Sequence, residues 1–528
     1  MAHDGTAEAV PFQNRGCQQS WIASRFADAA SLLIYNHLLR WTRFFPTHIT
    51  AIGLELETLP DTIYDVAIIG SGPAGYTAAI RAGQLGLKTA IIEKDPYLGG
   101  TCLHVGCIPT KALLFNAEVY DHVKEGSELG LENTAGVSLN WGSIQKRKQG
   151  IVDKHAKGLQ FLMRKNKVDV IKGYGKLTGP AKDGIHTVAL EGAEQKSIKA
   201  KDVVLCSGSV ARMLPGLQPD EQILTNIEVL SLNAIPKSII VIGSGAVGVE
   251  FASIYKSFGA DVTILEMLPC YVPVEDEDVS KELMRVYRKR GINGFVNAKV
   301  EKVEKTKSGV AVTFTVDGKQ QKLEAEKVLV AIGRAPRTEN VGIEKTKIRV
   351  ERGFVEVDGY MRTAEPGIYA VGDIVAGFPQ LAHSGAMEGI VAVTHIAGKP
   401  VKPINKLRIP NATYCHPEIG SVGLSEARAK EQGYEVKVGK FPFTANSRAS
   451  IVGQHEGFIK IVTDAKHGEI LGVHIIGPNA TELIAESVVA LEMECTAEDL
   501  ANIIHAHPTL SEAMLDASNA VFGMAINA

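Results

Sequence analysis

From about residue 64 onward, short uninterrupted apolar runs alternate with longer stretches in which apolar and polar residues are mixed at helical spacing. Apolar runs bounded by glycine read as strands covered on both faces, and their alternation with helices predicts an α/β fold with parallel sheets. Residues 64–69 form one such strand, running into Gly70-Ser-Gly72-Pro-Ala-Gly75, a helix, and a second strand over 89–93 that ends in Glu93. The pattern returns at 238–242, followed by Gly243-Ser-Gly245-Ala-Val-Gly248, a helix, and a strand over 261–266 ending in Glu266. The glycine triplets lie 173 residues apart, and each is followed by an acid 18 positions after its last glycine. This is an internal duplication of a whole structural unit. Residues 299–330, rich in alternating Val, Thr and Lys, predict hairpins attached to the second unit. From about Asn411 the pattern changes to α+β, with strands expected at 458–462 and 470–476 and a helix at 481–494, so a separate domain is placed there.

Composition narrows the class without naming a chemistry. A chain of 528 residues, 45% apolar and 22% charged, has the make-up of a globular protein of several domains. The net charge of −3 provides no electrostatic case for nucleic acid or an anionic membrane. No apolar run approaches the ~18 residues needed to span a bilayer. Seven cysteines are too few for a disulfide framework, which points to a reducing, cytoplasmic setting and makes closely spaced cysteines candidates for chemistry. Residues 1–60 read differently: the first fifty carry four Arg, no Lys, three acids and three His. One reading is an organelle-targeting peptide, which would place the protein in an organelle matrix. The preferred one is a disordered leader or mis-assigned start, because folded-domain patterning begins only at Tyr64.

Each glycine triplet sits where a strand turns into a helix, the arrangement that binds a dinucleotide. The first glycine (Gly70, Gly243) makes the turn, the second (Gly72, Gly245) lets a pyrophosphate reach the backbone, and the third (Gly75, Gly248) lets the helix pack on the strand. The phosphates then meet the unpaired N–H groups of a helix N-terminus. Glu93 and Glu266 are placed to accept from ribose hydroxyls, and a carboxylate at 266 repels a 2′-phosphate, favouring NAD over NADP. Two such units suggest one bound flavin and one exchanging nicotinamide. Just after the first unit comes Gly99-Gly-Thr101-Cys102-Leu-His104-Val-Gly-Cys107-Ile-Pro-Thr110-Lys111. Two cysteines five positions apart at a helix entrance can close a small disulfide, and a thiolate at a helix N-terminus near Lys111 would have a lowered pKa.

From Tyr64 to the C-terminus the chain resembles the flavin-dependent pyridine nucleotide–disulfide oxidoreductases, and within them the branch that oxidises dihydrolipoyl groups. The resemblance implies two Rossmann-like domains, for FAD and NAD, and a C-terminal α+β dimerisation domain. Its expected boundaries are a leader at 1–60, an FAD-binding domain with the redox disulfide at 61–211, an NAD-binding domain at 212–337, a returning segment at 338–408 and an interface domain at 409–528. It implies that Cys107 is the sulfur next to the flavin and Cys102 the one that meets substrate. Lys111 matches the family lysine beside the flavin, Glu250 its ion-pair partner, and Asp373 in Gly372-Asp373 the second flavin contact. Thr101 and Gly333 belong to the same cofactor-binding set. The implied partners are a second copy of the chain and the lipoyl domains and core subunits of 2-oxoacid dehydrogenase or glycine-cleavage complexes.

Near the C-terminus stands His505-Ala-His507-Pro508-Thr-Leu-Ser-Glu512. His507 titrates within reach of neutrality and Glu512 could orient it, with Pro508 expected to open the helix that carries Glu512. The resemblance implies that this His and Glu cross a dimer interface to serve the partner subunit's disulfide, with His505 in support. Cys206, Cys270, Cys415 and Cys495 are expected to be small apolar fillers, Cys17 an exposed leader thiol, and Cys415-His416 lacks the second pair that a metal site needs.

Rival members of the fold fit less well. Glutathione reductases carry Val-Pro-Lys-Lys after the second cysteine, where this chain has Ile108-Pro-Thr-Lys111, and an arginine in place of Glu266. Mercuric reductases end in paired cysteines, whereas this chain ends Phe522-Gly-Met-Ala-Ile-Asn-Ala528. A flavin-binding scaffold without turnover would need none of Cys102, Cys107, His507 and Glu512. The chain departs from the family pattern at His104, Thr110, the run Cys206-Ser207-Gly208-Ser209, and Arg337.

Overall fold

A computed structural model describes residues 62–527; the leader and Cys17 lie outside them. Strand Ile63–Ile69 is the centre of the first sheet, flanked in parallel by Thr89–Glu93 and Ser197–Leu205, with Val168–Lys172 at the edge. Val66, Ala67 and Ile68 are fully buried, as expected of a strand covered on both faces. This sheet is not wholly parallel. Tyr174–Leu177 and His186–Glu191 form a hairpin that adds antiparallel to Ser197–Leu205, because a short loop can reverse the chain without a crossover helix. Strand Ile368–Ala370 returns from far along the chain to pair in parallel beside Val203–Leu205, delivering Gly372 and Asp373 to the carboxyl edge.

The second sheet repeats the plan with five parallel strands in the order 293–295, 261–265, 238–242, 327–330 and 223–224. The expected hairpins are a three-stranded antiparallel sheet over Lys299–Lys305, Val310–Val316 and Lys319–Ala325. The C-terminal part has a five-stranded antiparallel sheet whose two central strands, Phe458–Asp464 and Ile470–Gly477, are buried along their full length. Helix Ala480–Glu492 packs against this sheet through Ile484 and Leu491, and Glu512–Ala520 through Met514 and Ala517. One local expectation is corrected here. Pro508 does not open the last helix: the His507–Pro508 peptide is cis, and the helix starts at Glu512.

Candidate active site

The two dinucleotide units match down to single hydrogen bonds. Ser71 donates its backbone N–H (3.0 Å) and hydroxyl (2.6 Å) to Glu93 Oε2, while Asp95 N–H donates to Oε1. Ser244 does the same toward Glu266 Oε2, at 2.7 Å for both groups, and Leu268 N–H takes the other oxygen. In each unit the third glycine packs so tightly that a Cβ would lie 2.0 Å from the carbonyl oxygen of the first. A Cβ on the middle glycines, Gly72 and Gly245, would meet nothing within 4 Å. Each of those glycines caps a helix without a side-chain partner, leaving first-turn N–H groups directed at open space. This donor set and open cradle fit a pyrophosphate at both turns.

A cavity of about 570 Å³ runs from the first cradle. Its wall includes Gly70, Gly72, Glu93, Asp95 and Asp373, together with Thr101, Cys102, Cys107 and Lys111. Ala246, Val247 and Glu250, from the helix after the second cradle, complete the wall. Gly243, Gly245, Gly248, Glu266 and Gly333 are not on that wall, so the second cradle lies beyond it. The cradle at Gly70 and Gly72, with Glu93 and Asp373 on one cavity wall with Cys102, Cys107 and Lys111, fits FAD, which these residues would hold.

The cysteines are free thiols at the junction of helices Gly100–Val105 and Cys107–Lys124. The Cys102 thiol donates a hydrogen bond to Cys107, which holds Cys107 below the ordinary thiol value; Lys111 works in the same direction, against burial. Cys102 is pushed up, chiefly because it is that donor and further because it is buried. The pair therefore loses its first proton at Cys107. Both oxygens of Glu250 accept from Lys111 Nζ, at 2.7 and 2.8 Å, although 139 residues separate the two.

His507 and Glu512 form a second cluster that lines no part of this cavity. His507 Nδ1 lies 2.9 Å from Glu512 Oε1, and since a carboxylate only accepts, Nδ1 carries the proton and Nε2 is left basic. Burial pulls the Glu512 carboxyl upward, but the Thr509 N–H and the His507 ring outweigh it and hold it below its ordinary value. The imidazole is 71% exposed. His505 binds Glu486 Oε1 instead, at 2.8 Å.

Three participants escape a reading of the motifs. Arg334 donates to the hydroxyl and the carbonyl of Ser209, and the Ser209 hydroxyl donates to Asp373, which fixes that carboxylate at the cavity wall. Glu388, fully buried, accepts the Gly372 N–H at 2.6 Å and supports the same turn from beneath. Tyr414 reaches both Lys111 and Glu250. Of the other cysteines, Cys206 and Cys415 are buried as expected, while Cys270 and Cys495 are only partly so.

Residues 64–389 match the pyridine nucleotide-disulphide oxidoreductase family and residues 409–518 the dimerisation domain of the same family. Dihydrolipoyl dehydrogenases from Bacillus subtilis and Rhizobium etli are each 45% identical, over 88% of this chain and 99% of their own. That from Mycobacterium tuberculosis is 43% identical over 88% of this chain and all of its own length. Among solved structures, LpdA from Mycobacterium tuberculosis superposes with a TM-score of 0.79 at 30% identity, covering 86% of this chain and 98% of that one. The HOCl-induced flavoprotein disulfide reductase RclA from Escherichia coli, solved as a Cu(II) complex, gives 0.76 at 25% identity, covering 87% of this chain and 99% of that one.

Proposed function

The chain belongs to the pyridine nucleotide-disulphide oxidoreductase family, and we infer that its activity is the NAD-dependent oxidation of dihydrolipoyl groups through FAD and a redox dithiol. The observation that carries this reading is the meeting, on one cavity wall between two dinucleotide units, of the Cys102 and Cys107 thiols with the Lys111–Glu250 ion pair.

In the oxidised protein Cys102 and Cys107 are joined. His507 of a partner subunit, oriented by Glu512, takes the proton of one substrate thiol at Nε2. The substrate thiolate attacks Cys102 Sγ, breaks the protein disulfide and releases Cys107 as a thiolate, leaving substrate and Cys102 in a mixed disulfide. The second substrate thiol attacks the substrate sulfur, closes the cyclic disulfide and leaves Cys102 to be protonated. The cradle at Gly70, Gly72 and Gly75 with Glu93 and Asp373 would hold FAD, which would supply a two-electron acceptor between the dithiol and NAD. Lys111 holds positive charge beside Cys107, with Glu250 as its counter-charge. The carboxylate at Glu266, fixed by Ser244 and Leu268 with acceptor capacity left on Oε1 for a ribose hydroxyl, supports NAD over its 2′-phosphorylated form.

The same proposal places FAD on 61–211 together with 338–408, NAD on 212–337, and the dimer contact on 409–528. It takes lipoyl domains and the core subunits of 2-oxoacid dehydrogenase or glycine-cleavage complexes as partners, with the cytoplasm or an organelle matrix as setting. No helix among the described residues is long and apolar enough to cross a membrane. Steady-state NADH formation from dihydrolipoamide tests the reading, with glutathione disulfide plus NADPH and mercuric ion plus NADPH as rival assays. Parallel-line kinetics with dihydrolipoamide alone, abolished in Cys102→Ser, are expected. Faster turnover in either rival assay would overturn the substrate assignment.

A further inference from the structure

The Lys111–Glu250 pair is completed from outside the two dinucleotide units. Tyr414 directly follows strand Asn411–Thr413, within the stretch that matches the dimerisation domain. Its backbone N–H donates to Glu250 Oε1 at 2.9 Å, across 164 residues of sequence. Its ring lies under the Lys111 ammonium, 4.7 Å from nitrogen to ring centroid. Thr481, at the start of helix Ala480–Glu492, faces the phenol. The side chain therefore bridges the C-terminal domain and the redox cavity, whose wall it also forms.

Lys111 has two ways to leave the neighbourhood of Cys107. Its side chain is 31% exposed along the cavity, so the ammonium can turn toward water, or it can settle wholly on Glu250. A ring face beneath the ammonium opposes the first by covering one side of the cation with an attractive surface. A backbone donor on Glu250 opposes the second by occupying one carboxylate lone pair. We propose that Tyr414 is a positioning residue for Lys111, through which seating of the dimerisation domain sets how much positive charge Cys107 feels. The inference rests on the dithiol reading above. The other charged and titratable groups acting on the cysteine pair are Glu250, Arg334 and Tyr76, and none of them comes from the C-terminal domain.

The test uses flavin-loaded wild type, Tyr414→Phe and Tyr414→Leu, each reduced anaerobically by two electrons. The readout is the pH midpoint of the long-wavelength absorbance that a Cys107 thiolate gives against flavin. A cation–π contact at a partly exposed site, ~0.5–1 kcal/mol, corresponds to a midpoint rise of about half a unit in the Leu protein. Tyr414→Phe keeps the ring and is expected to keep the wild-type midpoint, a rescue that general packing at the phenol would not produce. An unchanged midpoint in Tyr414→Leu, at wild-type flavin content and thermal stability, overturns the proposal. If the Leu protein does not fold, Tyr414→Met decides by the same two outcomes. A wild-type protein that shows no such band overturns the dithiol reading itself, a failure distinct from that of Tyr414.

Discussion

Replacing Cys102 by alanine removes the strongest influence on Cys107. The thiol hydrogen bond from Cys102 is the main cause of the lowered Cys107 pKa, ahead of Lys111, while burial acts against both. A hydrogen bond to an ionised acceptor contributes ~1.5–3 kcal/mol, which corresponds to about one to two pKa units. With the donor gone and burial unchanged, Cys107 is expected to titrate that much higher, cutting its thiolate fraction roughly 10- to 100-fold at a pH below the original midpoint. Cys102→Ser is the contrasting variant, because its hydroxyl still donates in nearly the same place. The assay is the rate of iodoacetamide alkylation of Cys107 against pH, with the modified residue identified by mass spectrometry. The expected order of midpoints is Cys102→Ser close to the lowered value and Cys102→Ala clearly above it. If the two variants titrate together, the neighbouring thiol is not what stabilises the thiolate, and the assignment of separate roles to the two sulfurs falls with it.

Mixing Cys102→Ser and His507→Gln protomers under conditions of subunit exchange is expected to restore about a quarter of wild-type turnover, because half the dimers carry one intact site if His507 acts across the interface; no recovery in confirmed heterodimers would place His507 elsewhere. Lys460 is 3% exposed and pairs with Asp276, Asp278 and Glu426 between the second dinucleotide unit and the C-terminal sheet. Lys460→Met should therefore destabilise by ~3–5 kcal/mol, seen as a lower denaturant midpoint, with Lys460→Arg much milder. Burial pushes the Glu275 carboxyl up to about 7, and its Oε2 is sealed without a partner. An acid raised in the fold binds more protons folded than unfolded, so this group favours folding at pH 4 and loses that contribution as pH rises toward 7. Glu275→Gln should accordingly be more stable than wild type at pH 8, by roughly 1–3 kcal/mol, and no more stable at pH 4; equal stability at both pH values would refute the assignment. Glu266→Ser should raise the NADPH-to-NADH ratio of kcat/KM. It should also cost about 1–3 kcal/mol by stripping the acceptor from Ser244 and Leu268.

What the sequence made legible follows how far apart the interacting groups lie along the chain. The dinucleotide turns were readable because each is completed within about thirty residues, from strand through glycines to acid. The thiol pair and the His507–Glu512 pair were readable for the same reason, at separations of five. The start of the last helix is not legible locally: Pro508 suits a first helical turn, but the helix begins only at Glu512. The hairpin that makes the first sheet mixed has strands of only 4 and 6 residues, Tyr174–Leu177 and His186–Glu191; both alternate between more and less buried positions, but runs that short carry little periodic signal in the sequence. Tyr414, Arg334 and Glu388 had no local signature. Arg334 meets Ser209 across 125 residues and Tyr414 meets Glu250 across 164, contacts that only the packing of separate domains brings about.

The most direct test of the whole account is a half-reaction. One equivalent of dihydrolipoamide is added anaerobically to flavin-loaded protein without NAD, and NAD follows after the first change is complete. The account predicts long-wavelength absorbance before NAD is present, then one equivalent of NADH on its addition, and neither event in Cys102→Ser. NADH formed in normal yield by Cys102→Ser, or no change in wild type until NAD arrives, would contradict an electron path through Cys102 and Cys107.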